Sequence, residues 1–281
     1  MKHTLLISQN QKVAYWSYGE PTHPVIVMVH GFRGTHHGLE LITKELRGFY
    51  VIVPDLPGFG ESDPLDEHSI TQYVQFLNEF MARLNLAMPP VLLGHSFGSI
   101  IASHFAAAYP RAIDRLILIN PIGAPALEGP KAVMTKLAIA YYWLGKKLPQ
   151  RASKSWLSAR PIVLSMSIMM AKTKDKTLRQ YIHNQHLTHF SSFSSPRAVA
   201  EAFHASVSHT VTEKAEHITM PTLLIVGEKD DITPLKKQQE LHTKMTASEL
   251  FVIENVGHLI HYETPKKAAG AIMTFLRAPL Q

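Results

Sequence analysis

The stretch VLLGHSFGSIIASHF, residues 91–105, sets Ser96 between Gly94 and Gly98 where an apolar run changes its period. Glycine weakens both strands and helices, so two of them around one hydroxyl need a local geometric reason. Residues 91–93 read as the end of a buried strand, and the small residues from Ser99 onward read as a helix. Ser96 falls in the turn between them, in the pattern Gly-x-Ser-x-Gly. Such a turn strains the serine backbone and lifts its hydroxyl at the carboxyl edge of a sheet, while the glycines let strand and helix approach.

Outward from this turn the chain alternates between short β-branched runs and helical stretches, the pattern of a mainly parallel α/β sheet. HTLLIS and KVAYWSYG read as an opening hairpin. PVIVMVHG (24–31), FYVIVPD (49–55), PPVLLGH (89–95) and DRLILIN (114–120) are apolar on both faces, as buried parallel strands are. A helix is expected over 69–84 with Ser69 as its N-cap. After Pro121 the strands stop, and KAVMTKLAIAYYWLG, PIVLSMSIMMAK, DKTLRQYIHNQHL and PRAVAEAFHASV all read as helices. Strands resume with PTLLIVGEKD (221–230) and ELFVIENVGH (249–258). The expected organisation is therefore a core of residues 1–121 and 217–281, interrupted by a helical cap over 122–216.

A chain of 281 residues, 46% of them hydrophobic, is long enough for one large core with an insertion. It has no cysteine, which removes disulfides, thiolate nucleophiles and Cys-based metal sites, and which fits a reducing compartment. The amino terminus MKHTLLISQN reads as a first strand rather than a signal peptide. No apolar run approaches the ~18 residues of a membrane span, so a cytoplasmic protein is expected. The net charge of +6 is unevenly placed: between Ile122 and Glu216 stand thirteen Lys and Arg against five Asp and Glu. That segment carries +8 and the rest of the chain −2. With no recognition motif beside it, this charge does not make a nucleic-acid partner, and none is expected.

Five motifs now stand in order, HGFRG (30–34), DLPGFGES (55–62), GHSFG (94–98), GEKDDITP (227–234) and GHLIHYETP (257–265), each at the end of an expected strand. In these the chain resembles the α/β-hydrolase superfamily, nearly end to end outside the cap. The resemblance implies a mainly parallel eight-stranded sheet flanked by helices, with the cap inserted after strand six. It also implies a nucleophile, acid and histidine in that chain order. Ser96 is then the nucleophile, and His258, after the last strand, is the base. The acid is Asp230, chosen over Asp231 by the family pattern of Gly, two residues, Asp, one residue, an aliphatic and a later Pro. His30 and His95 are read as structural, as are Asp55 in its loop and Glu263 at a helix start. The oxyanion donors implied are the backbone N–H groups of Phe97 and Phe32.

Chemistry points the same way, because a serine hydroxyl attacks only when a carboxylate-held histidine takes its proton. The expectation is a serine hydrolase that needs no cofactor and no metal, cleaving carboxylic esters through an acyl-enzyme. A small-molecule ester, lipid-like or anionic, is the expected partner, with medium-chain or aromatic acyl groups preferred. Met166, Met169 and Met170 are offered as a yielding wall for the acyl chain. Two alternatives remain beside it: hydrolysis of carbon–carbon bonds in ring-fission products, and a non-enzymatic ligand binder on the same fold.

Overall fold

Eight short apolar runs pair into one sheet in the computed structural model, which describes residues 1–125 and 132–278. The strands are β1 (Lys2–Leu6), β2 (Lys12–Tyr18), β3 (Val25–Val29), β4 (Tyr50–Pro54), β5 (Val91–His95), β6 (Leu116–Ile119), β7 (Thr222–Gly227) and β8 (Ser248–Ile253). Their order across the sheet is β1-β2-β4-β3-β5-β6-β7-β8. The opening hairpin β1–β2 and the pairing of β2 with β4 are antiparallel, and every later pairing is parallel. This is the mainly parallel eight-stranded α/β sheet expected from the sequence.

Every residue of β5 is buried, because helices cover both faces. Successive side chains of a strand point to opposite faces, so Leu92 joins one apolar layer and Leu93 the other. The first layer packs under α2 (Ile70–Arg83) and α3 (Phe97–Ala108), through Tyr73, Leu77, Phe80, Ile101 and Phe105. The second is covered by α1 (Glu40–Thr43) and α11 (Pro265–Arg277), through Ile42, Ile272 and Phe275. In α2, Ser69 caps as expected by accepting the Gln72 N–H at 3.4 Å, and buried residues recur three and four apart.

Between β6 and β7 the chain runs through α4 (Ala132–Lys147), α5 (Gln150–Leu157), α6 (Arg160–Met170), α7 (Lys176–His189) and α8 (Pro196–Ser208). Here α4 packs against α5 and α8, and α6 against α7. One bridge, Phe59 to Phe193, joins this segment to the loop after β4. Lys131 and Glu128, counted in the basic segment, lie outside the described residues. The remaining helices are α9 (Leu235–Lys244), after β7, and α10 (Ile260–Glu263), after β8. No helix among the described residues is long and apolar enough to cross a membrane.

Candidate active site

The glycines of the opening stretch are explained by contact distances. A Cβ on Gly94 would lie 2.4 Å from the Gly98 carbonyl oxygen, and one on Gly98 would lie 2.3 Å from that of Val29. The turn between β5 and α3 closes only without those side chains. Ser96 sits at its apex with φ 53° and ψ −116°, in a region that L-residues rarely adopt. Its N–H donates to the Ile119 carbonyl at 3.0 Å, which fixes the turn against the end of β6.

His258 and Asp230 arrive from the loops after β8 and β7. His258 Nε2 lies 2.8 Å from Ser96 Oγ, and His258 Nδ1 lies 2.7 Å from Asp230 Oδ2. Asp230 is held as an acceptor on every side: the N–H groups of Ile232 and Thr233 donate to Oδ1, and the Thr233 hydroxyl donates to Oδ2. Burial pushes its carboxyl up, but the attraction of His258 and the hydrogen bonds of His258 and Thr233 outweigh it and hold the group well below the usual carboxylate range. Asp231 instead turns outward to meet the Lys172 ammonium. The structure thus brings Ser96, His258 and Asp230 into one hydrogen-bonded line and leaves Asp231 out of it.

Phe97 is the first residue of α3, where a helix N–H has no carbonyl one turn back to bond. The Phe32 N–H makes no hydrogen bond among the described residues. Its loop is set by His30, whose Nε2 accepts the Leu56 N–H at 2.9 Å while Nδ1–H donates to the Gly31 carbonyl at 2.9 Å. The Phe32 ring stands edge-on to Phe59, Phe97 and Tyr142 and tilts against Phe203. Tyr142 and Phe203 also line a cleft of about 470 Å³ bounded by α4, α8 and residues 67–69, which Phe32 and Ser96 do not line. Of the three methionines expected over Ser96, Met169 is 57% exposed and belongs to the outer surface. Met170 packs beside Leu259 and Tyr262, and Met166 is half-buried.

Two residues matter here whose roles motif reading does not give. Asn120, with φ 45°, donates to the His258 carbonyl at 2.8 Å and accepts the Gly227 N–H at 3.0 Å. It ties the histidine loop and the end of β7 to the end of β6. Arg33, next to Phe32, is 1% exposed and is paired with no carboxylate among the described residues. Its guanidinium donates to the Phe190 carbonyl at 2.7 Å, the Leu157 carbonyl at 2.8 Å and the Tyr142 hydroxyl at 3.3 Å. Glu263, read as structural at a helix start, accepts the Lys172 N–H at 2.7 Å. Asp55 does hold its loop, accepting N–H groups of His36 and Glu61.

Around the line of three, burial keeps further imidazoles neutral. Desolvation, with the neighbouring His258, lowers His95 to about 3, and burial lowers His261 well below the ordinary histidine range. Two groups of His and Glu have donor atoms within 4.8 Å of one another, His36–His37–Glu40 and His104–His209–Glu213. In the first, His36 Nδ1 already meets Asp55 at 2.9 Å; in the second, Glu213 already accepts the Thr210 N–H at 2.7 Å.

A family model described as serine aminopeptidase, S33, matches residues 20–265. Monoacylglycerol lipase ABHD6 of Mus musculus is 26% identical over 280 residues, covering 95% of this chain and 80% of that protein. Lipase 1 of Psychrobacter immobilis is 24% identical over 282 residues, 97% of this chain and 83% of its own. Among solved structures, a thermophilic esterase from Thermogutta terrifontis superposes with a TM-score of 0.80 at 23% identity, covering 99% of this chain and 98% of its own. An esterase from Exiguobacterium antarcticum gives 0.82 at 19% identity, covering 99% and 100%. These structural likenesses speak to the fold.

Proposed function

This chain belongs to the α/β-hydrolase family described as serine aminopeptidase, S33, and from that premise we propose that it hydrolyses carboxylic esters through an acyl-enzyme on Ser96. The observation that carries the reading is the hydrogen-bonded line from Asp230 through His258 to a serine held in strained backbone. In this mechanism Ser96 Oγ attacks the ester carbonyl as His258 Nε2 takes the hydroxyl proton. Asp230 keeps the proton on Nδ1 and stabilises the imidazolium that forms. The N–H groups of Phe32 and Phe97 receive the charge that develops on the carbonyl oxygen. Collapse breaks the bond to the alkoxy group, which leaves as the alcohol with the proton from His258. Water then repeats the sequence on the acyl-enzyme, with His258 as base, and releases the acid.

The acyl chain is proposed to lie along Phe32, Tyr142 and Phe203 under the inserted helices, which act as the cap. Rings of this size favour medium-chain or aromatic acyl groups over acetate, since each buried methylene contributes about 0.8 kcal/mol. The lipases among the relatives support ester cleavage over peptide cleavage. A graded series of p-nitrophenyl esters, run beside ring-fission dienoates and amino-acid amides, tests this. Turnover is expected to rise from acetate to a medium-chain optimum. Turnover confined to the amides or the dienoates would overturn the ester assignment.

A further inference from the structure

Helix α4 buries Tyr142 but presents other apolar residues to water. Val133, Leu137 and Leu144 follow one another at four and seven residues, on one stripe, and are 67%, 62% and 40% exposed. Met134 and Trp143, 63% and 59% exposed, flank the stripe. A helix facing only solvent carries polar residues there. Helix α5 extends the same surface: Trp156, 38% exposed, has its ring tilted against Tyr141, its indole N–H donating to the Tyr141 carbonyl at 3.3 Å. The Tyr141 hydroxyl returns a bond to the Trp156 carbonyl at 2.8 Å. Six large apolar side chains thus project from two helices pinned together.

Charge identifies what covers them. Residues 132–174 contain eight Lys and Arg and no Asp or Glu, although the whole chain has 28 against 22. Lys136 and Lys147 lie on the row of α4 that carries Trp143, and the Lys147 ammonium is 5.9 Å from the Trp143 ring. Apolar side chains bordered by tryptophan and cations, on a helix too short to span, are the composition of an element that lies in a membrane interface. We propose that α4 and α5 dock on an anionic phospholipid bilayer, with Val133, Leu137 and Leu144 entering the boundary between headgroups and acyl chains. Lys136, Lys147, Arg151 and Lys154 then meet lipid phosphates, each contributing attraction that salt screens. The docking concerns where the protein sits and does not depend on the chemistry at Ser96, so it is read by binding and not by turnover.

The test is co-sedimentation of the full chain with vesicles of phosphatidylcholine alone and of phosphatidylcholine with phosphatidylglycerol, at low and high salt. Binding is expected only to the anionic vesicles, falling as salt rises, with a blue shift of tryptophan fluorescence. Leu137→Glu is expected to lower partitioning about tenfold or more, since it removes one buried aliphatic side chain and adds a like charge. The pair Lys136→Glu and Lys147→Glu is expected to do the same, while p-nitrophenyl acetate turnover and the melting temperature hold, showing that both variants fold. Loss of ester turnover on Ser96→Ala with vesicle binding intact separates the two readings. Equal binding to neutral vesicles, binding that these variants leave unchanged, or a patch that instead drives self-association in sedimentation velocity, overturns the proposal.

Discussion

Ser96 holds a backbone conformation that costs on the order of 1–3 kcal/mol, and the cost is met by the close contacts that Gly94 and Gly98 allow. At this scale the choice of carboxylate is the sharpest question. Asp230 accepts four hydrogen bonds, one of them from His258, whereas Asp231 faces outward toward Lys172. Asp230→Asn is therefore expected to lower kcat by about 10³–10⁴, because the amide leaves the imidazole without its orienting charge. Asp231→Asn is expected to change kcat by less than about threefold, in keeping with an exposed pair. Steady-state kinetics on one ester, with the variants in parallel, decides it; the reverse order names the other carboxylate. Ser96, His258 and Asp230 were legible in the sequence because each stands in a short motif at a strand end. Asn120 and Arg33 were not, since their partners lie 107 to 157 residues away and no local spacing announces them.

Among the elements, the strands and four of the five inserted helices could be read from apolar periodicity. Helix α5 could not, for its eight residues are mostly polar or charged and its place is fixed by contacts with α4, including a hydrogen bond from the Ser153 hydroxyl to the Gly145 carbonyl. The outward turn of Met169 was equally hidden, because composition says that an apolar helix needs burial but not which residues get it. Arg33 is one link between the sheet and the helices that follow β6, reaching carbonyls at the ends of α5 and α7 and a hydroxyl on α4. Its removal strands the buried Leu157 carbonyl and the half-buried Phe190 carbonyl, although relief of a desolvated charge offsets part of the loss. Arg33→Met is expected to lower stability by about 2–4 kcal/mol, and Arg33→Lys to recover less than half, since one ammonium cannot serve acceptors on three helices. Urea denaturation of the three proteins measures both; an unchanged midpoint in Arg33→Met would show that the helices seat without it.

Across the whole molecule, seventeen histidines gave no guidance by composition, and the fold sorts them. Burial lowers His68 to about 4 and His186 and His95 to about 3, and lowers His30 and His261 as well. In the unfolded chain each titrates near 6.5, so between that value and its folded value the unfolded state binds more protons. Stability from these groups is complete above pH 6.5 and is lost as pH falls, by about 1.4 kcal/mol per pH unit for each group in the window. Asp230, lowered in the fold, adds a loss in the same direction at a lower pH, as its carboxyl takes a proton in the unfolded chain while the folded one stays ionised. The melting temperature is therefore expected to be level from pH 7 to 8 and to fall steeply from 6.5 toward 4, which differential scanning fluorimetry follows; a flat profile to pH 4 would contradict neutral buried imidazoles. The architecture itself was readable because strand, turn and helix signals agreed at five successive motifs. Most direct of all is the intact mass of the protein after exposure to a fluorophosphonate, with the modified peptide located by fragmentation. A single adduct on Ser96, absent in Ser96→Ala and strongly slowed in His258→Ala, is the expected result; an unmodified protein, or an adduct on any other residue, would contradict the assignment of Ser96 as the nucleophile.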